Sequence, residues 1–228
     1  MTESSGVTHA QCHGHARLGW CGPALPRVVE QRLGEDGELL VRGPVVFNGY
    51  LYDEEASAKT LAGGWLHTGD IVEIDGATQE VQILDRKKAI LITSGGKNIT
   101  PTLIENALKE SLYISEAVLL GDGRHFLAAL IQIDLDTAGK WAQERGIAYT
   151  TYESLAALEP VRELVDTEVQ KVNARFSRVE NIRKFVILRK QLDHDDGELT
   201  ATMKVRRNVI EKKFAPEIAL IYGKEATP

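Results

Sequence analysis

Three stretches of the chain place charged side chains beside glycines, and each suggests a chemistry. Residues 64–70 read GWLHTGD. An ionised Asp70 beside the flexible Gly69 can accept hydrogen bonds from two neighbouring hydroxyls, as a ribose diol offers. Residues 84–101 read LDRKKAILITSGGKNITP. Here the consecutive cations Arg86, Lys87 and Lys88 sit between two apolar runs, which suits an anionic ligand or a solvated hinge. Gly95 and Gly96 permit positive φ and a close backbone approach to a narrow ligand. Residues 195–207 read DDGELTATMKVRR, a polar loop presenting Lys204, a flexible point charge suited to a developing negative oxygen. Taken singly, each stretch is better read as a surface turn, with Asp70 capping it in the first.

Two further clusters carry less. Residues 9–15 read HAQCHGH, followed by Cys21. These are zinc-ligand residue types, but their spacing fits no common finger, and a loop is the better reading. Residues 175–184, RFSRVENIRK, are basic. Acidic neighbours make them a solvated helix end rather than a clustered surface for phosphate backbones, so no nucleic-acid partner is expected.

The elements that must position these residues follow from pattern. Residues 38–42 read as a strand. Asp53 is an N-cap for a helix over 54–61 that Gly63 and Gly64 stop. Strands over 71–74 and 81–84 flank an Asp-Gly turn. After residue 86 the order changes: a strand at 89–92, a turn at 94–97, and a helix capped by Thr100 that starts with Pro101 and runs to about Glu110. Strands at 114–120 and 126–133 are joined through Gly121, Asp122 and Gly123. Helices over 137–145 and 159–176, the second with apolar residues at three- and four-residue spacing, lead to a strand at 185–188 and a helix over 205–213. The reading is a β-rich part over 1–85 and an α+β domain over 86–228, a normal domain size.

Charge breaks at the same place. Residues 1–85 hold 5 Lys and Arg against 13 Asp and Glu, while residues 86–228 hold 22 against 20. With 43% hydrophobic residues the chain can bury a core and is not of a disordered type. No apolar run approaches the roughly 20 residues that span a bilayer, and the first residues lack the pattern of a signal peptide. Two cysteines are too few for a disulfide scaffold, so the expected setting is reduced and cytoplasmic.

Together, the order and spacing of these stretches resemble the adenylate-forming ligases, from residue 1 to about 222. Three features look most like the long-chain fatty-acid–CoA ligases: GELLVRGPVVFNGY at 37–50, the DRKK and TSGGKNI pair, and LTATMKVRR at 199–207. The opening MTESSG also resembles the second half of a nucleotide-binding motif of that family. The resemblance implies a small β-rich remnant of a large AMP-binding domain, then a mobile C-terminal α+β domain. It implies that Thr2 contacts ATP phosphate, Glu3 binds Mg²⁺, Asp70 takes the ribose hydroxyls and Arg86 faces the nucleotide. Lys88 is then the hinge, Gly95 and Gly96 meet the pantetheine arm of coenzyme A, and Lys204 bridges the carboxylate and α-phosphate during adenylation.

The implied substrates are a fatty acid, ATP and coenzyme A, with AMP and pyrophosphate as products and a peripheral membrane association compatible. The phosphate loop and acyl pocket belong to a preceding part of the family's chain, an N-terminal ligase portion that becomes a partner if the gene is split. These 228 residues are therefore expected not to form acyl-CoA alone; a non-catalytic nucleotide- or CoA-binding module derived from a ligase is the alternative. The sequence departs from many members in Asp85 before Arg86, Ala89 after the hinge and Met203 before Lys204.

Overall fold

The computed structural model describes residues 1–201 and 204–223. Thr202 and Met203, within the Lys204 stretch, and residues 224–228 lie outside the described residues. The chain divides into two compact units, Met1–Ile90 and Leu91–Pro228.

The first unit is built on one antiparallel sheet. Its strands are β1 (Gly22–Pro23), β2 (Glu30–Leu33), β3 (Glu38–Arg42), β4 (Leu66–Ile74) and β5 (Glu80–Arg86), in the spatial order β1-β5-β4-β3-β2. Along β4, Leu66, Thr68, Asp70 and Val72 are buried while the residues between them are more exposed, the period of a half-buried strand. Leu39, Val41, Leu66, Val72 and Val81 pack with Val29 into the core of this unit. Helix α1 (Glu54–Thr60) starts as expected, with Asp53 Oδ1 accepting the Ala56 N–H at 2.9 Å. The Thr-Gly-Asp stretch is not a turn before a strand at 71–74. It lies inside β4 as a bulge, because Glu38 pairs with Ile71 but Leu40 pairs with His67. Gly69, at φ 71°, supplies the left-handed residue that such a bulge uses.

The second unit has three layers. Its central sheet has the order β10-β9-β8, from β8 (Ile114–Leu120), β9 (Leu127–Ile133) and β10 (Ile182–Ile187). Strand β8 runs antiparallel to β9, and β10 runs parallel to it. All of β9 except Gln132 is buried, because both faces of the sheet are covered. On one face Leu127, Ala129, Ile131 and Ile133 pack with residues of α2 (Pro101–Lys109), α3 (Leu135–Glu144), α4 (Tyr152–Ala156) and α5 (Glu159–Asn173). On the other, Ala128 and Leu130 pack with Ile210 of α6 (Arg207–Lys213) and with Ile218 and Ile221 of α7 (Ala215–Tyr222).

Several boundaries differ from the sequence expectation. The strand expected at 89–92 is a 3-10 turn at Lys87–Ala89 followed by β6 (Leu91–Ile92), which pairs with β7 (Asn98–Ile99). Thr100 stands at the N-cap of α2, but its side chain makes no capping hydrogen bond. Helix α3 begins two residues early, since Asp134 caps it by accepting the Thr137 N–H at 2.9 Å. Helix α5 ends at Asn173, whose side chain is drawn to Ile182. There Oδ1 accepts the Ile182 N–H at 2.8 Å and Nδ2 donates to its carbonyl at 3.0 Å, which also starts β10 earlier than residue 185. Helix α6 begins at Arg207 because Val205 bridges to Leu199 instead.

Candidate functional site

Within the first unit, register brings two of the candidate residues together. Asp70 on β4 and Arg86 on β5 are direct cross-strand partners. Arg86 Nε lies 2.9 Å from Asp70 Oδ1, and its Nη1 lies 3.4 Å from the Thr68 carbonyl. Asp70 is only 8% exposed. Burial pushes its carboxyl above the usual value, and the Arg86 guanidinium offsets part of that rise. The bulge is tied down at both ends. Thr68 Oγ1 donates to the Leu39 carbonyl at 2.7 Å and accepts the Asp70 N–H at 3.1 Å.

The N-terminal residues Thr2–Ser4 form a 3-10 turn, anchored where the Phe47 N–H donates to the Glu3 carbonyl at 2.8 Å. The Tyr50 hydroxyl donates to Glu3 Oε1 at 2.9 Å. The backbone N–H of Glu3 and that hydroxyl hold its carboxyl below the usual range. Thr2, Glu3, Thr68, Gly69, Arg86 and Lys88 all line one cavity of about 1250 Å³, with Tyr50, Asp53 and Lys59 on its α1 side. The structure therefore gathers Thr2, Glu3, Arg86 and Lys88 around a single basin, while Asp70 is not in its lining and joins it through Arg86. The basin's lining offers cations (Arg86, Lys87, Lys88, Lys59), the Thr2 hydroxyl and an ionised carboxylate (Glu3), a set suited to a polyanion carrying a sugar.

Sequence pattern alone does not single out Glu38, yet it holds this site. Its Oε1 accepts the Gly69 N–H at 2.8 Å, and its Oε2 lies 3.0 Å from Lys87 Nζ and 3.2 Å from His67 Nδ1. Burial works against its charge, but Lys87, the Gly69 N–H and His67 together hold its carboxyl below the usual range. An acidic residue opening an otherwise apolar strand was the available signal.

The second unit carries the other candidates. Gly95 and Gly96 lie in the exposed loop between β6 and β7, where the Gly96 N–H donates to the Thr93 carbonyl at 2.8 Å. Gly96 has φ 73°, and a Cβ there would meet nothing within 4 Å. The loop leans on the β8–β9 connection through Ser94, whose N–H donates to the Arg124 carbonyl at 2.9 Å. Lys204 is exposed at the foot of a loop closed by Leu199 and Val205. Its N–H donates to Thr200 Oγ1 at 3.0 Å, and its carbonyl accepts the Thr200 N–H at 2.8 Å. Just before the loop in the chain is Glu198, 1% exposed. Its Oε1 is 2.8 Å from Lys190 Nζ and 3.3 Å from Lys213 Nζ, and its Oε2 accepts the Asp193 N–H at 2.9 Å.

The histidine and cysteine cluster forms no centre. His9 is engaged by Thr8 and Gln31, and Cys12 is exposed. Among the described residues no group of three His, Cys, Asp or Glu side chains is placed to hold a metal ion.

Residues 88–226 match the sequence profile of the AMP-binding enzyme C-terminal domain. The chain belongs to that family. Among its relatives, the long-chain-fatty-acid–CoA ligase FadD15 of Mycobacterium bovis is 40% identical over 228 residues, covering 99% of this chain and 37% of that protein. The peroxisomal long chain acyl-CoA synthetase 7 of Arabidopsis thaliana is 32% identical over 244 residues, covering 99% of this chain and 35% of its own length. The chain thus spans little more than a third of the curated relatives it matches. Among solved structures, the adenylation domain of a carboxylate reductase from Mycobacterium chelonae superimposes with a TM-score of 0.72 at 20% identity. That match covers 89% of this chain and 32% of the other. The O-succinylbenzoate coenzyme A synthetase of Bacillus subtilis, in complex with AMP, gives 0.62 at 23% identity, over 91% of this chain and 39% of its own. These likenesses show that the fold is that of adenylate-forming enzymes.

Proposed function

We propose that the chain is the C-terminal part of an ATP-dependent long-chain fatty acid–CoA ligase, and that the basin of the first unit is its nucleotide site. The carrying observation is the convergence of Thr2, Glu3, Arg86 and Lys88 on one cavity, beside a buried Asp70 held by Arg86. Asp70 accepts the ribose hydroxyls. Arg86, released from one side of that ion pair, turns toward phosphate, and Thr2 donates its hydroxyl to a phosphate oxygen.

Glu3 fits a magnesium ligand, because its carboxylate is ionised and Tyr50 engages only Oε1. Mg²⁺ is commonly held by one or two carboxylates together with substrate phosphates, and when bound it would neutralise phosphate charge. Lys204 supports the first half-reaction, in which a fatty carboxylate attacks the α-phosphorus and pyrophosphate leaves. Its ammonium offsets charge on the reacting oxygens. In the second half-reaction the coenzyme A thiol attacks the acyl carbonyl, giving up its proton as AMP leaves. Gly95 and Gly96, with no side chains, give the pantetheine arm backbone to run along. Lys88 is the pivot between the two halves. A cytoplasmic setting with at most a peripheral membrane contact goes with this reading, and among the described residues no helix is long and apolar enough to cross a membrane.

Calorimetry with AMP on the 228-residue chain tests the site: wild type binds and Asp70→Ala does not. Equal affinity of the two overturns the assignment. Incubation with palmitate, ATP and coenzyme A is expected to give no acyl-CoA from this chain alone.

A further inference from the structure

We propose that Glu38 is a positioning residue that couples the Gly69–Asp70 bulge to the Lys87–Lys88 segment, so that occupation of the nucleotide site is felt at the pivot. This rests on the reading of Asp70 as a nucleotide ligand.

The two oxygens of Glu38 serve two different segments. Oε1 accepts the N–H of Gly69, the residue next to Asp70. The left-handed φ of Gly69 turns that N–H out of the strand ladder, so the carboxylate supplies the partner the ladder does not. Oε2 takes the ammonium of Lys87, the residue before Lys88. Glu38 is 3% exposed, and a carboxylate so placed needs its charge matched by nearby donors. It cannot follow a displaced Gly69 without drawing Lys87 or losing it. Asp36 also pairs with Lys87, at 2.5 Å, and accepts the Glu38 N–H at 3.2 Å, but among the described residues its side chain has no hydrogen bond to Gly69 or Asp70. The two acids therefore differ: both hold Lys87, and only Glu38 joins it to Asp70.

Hydrogen exchange on the 228-residue chain, with and without AMP, reads the coupling at the amides of residues 87–90. AMP is expected to change protection there in wild type. Glu38→Gln, which keeps an acceptor for Gly69 but loses the charge that holds Lys87, removes that change, and Lys87→Met does the same. Asp36→Asn keeps it. Glu38→Ala also strips the acceptor from Gly69 and weakens AMP binding by roughly tenfold. A wild-type chain that binds AMP with no change at 87–90 overturns the proposal. So does a Glu38→Gln chain, folded by circular dichroism, that still transmits the change. Failure of wild type to bind AMP at millimolar concentration, or full binding by Asp70→Ala, counts instead against the nucleotide reading beneath it.

Discussion

Asp70 and Arg86 face each other across β4 and β5, and Arg86 Nε reaches Asp70 Oδ1 at 2.9 Å while most of the arginine side chain stays in solvent. The carboxylate is thus buried and its partner is not, and burial prevails: the Asp70 carboxyl is raised above its usual value. A raised folded-state value means that the native state binds the proton more readily than the unfolded chain. The charged form therefore carries a penalty above the folded value, relieved as pH falls through it. Asp70→Asn should melt higher than wild type at pH 7, with the gain shrinking in acid, while losing at least about tenfold in AMP affinity. Thermal melts at pH 7 and pH 3.5 check the first part, and a lower melting temperature at pH 7 would contradict it.

The sign reverses for Glu38. Its carboxyl is depressed on balance, burial pushing it up and Lys87 pulling hardest the other way. Such a group stabilises the fold above its unfolded value, about 4.3 for glutamate, and that contribution is lost as pH falls through the folded value. Lys87→Met removes the chief partner. Its stability deficit relative to wild type should be full at pH 7 and should close below about pH 4. Urea titrations at both pH values measure the gap; a gap independent of pH would show that the pairing contributes nothing.

Two glycines with similar φ separate steric from conformational cost. At Gly22, φ 89°, a Cβ would stand 2.3 Å from the carbonyl carbon and oxygen of Ala10, both backbone atoms. At Gly96, φ 73°, it would meet nothing within 4 Å. Gly22→Ala should cost about 3 kcal/mol or more, from strain and overlap together, and Gly96→Ala only about 1–2 kcal/mol. Chemical denaturation of the two variants gives the comparison.

In the segment leading to Lys204, Glu198→Ala leaves the Asp193 N–H without its acceptor and leaves Lys190 and Lys213 only their contacts with Asp196. The loop over 193–205 should then open more often, and limited proteolysis within it should quicken by roughly tenfold, corresponding to about 1–3 kcal/mol for an unmet buried donor. Unchanged cleavage would mean the loop is held by its backbone bonds, those of Thr200 with Lys204 among them, and not by the Glu198 carboxylate.

Much of this architecture was legible in the sequence, for identifiable reasons. The strands at 38–42 and 114–120 announced themselves because apolar runs end at polar residues or glycine. Apolar spacing extends helix α5 to residue 176 because a count of spacings cannot see Asn173 turning to serve Ile182. The Thr68–Asp70 stretch reads as a turn from sequence because Gly69 looks the same in a turn and in a bulge; pairing with β3 distinguishes them. The candidate residues stood out by type and order. Glu38 and Glu198 did not, since both act through partners apart from them in sequence, and neither touches the chemistry itself.

The parallel pairing of β9 with β10 has a consequence for how the chain is made. Every strand of the first sheet lies at or before Arg86, so that sheet can close while the rest is still being synthesised. The second sheet cannot. Strand β9 must wait until α3, α4 and α5 have been translated before β10 arrives beside it. During that interval the apolar side chains of Leu127–Ile133, all buried in the finished protein, lack part of their cover. Nascent chains stalled just short of Ile182 should be the ones that chaperones hold longest.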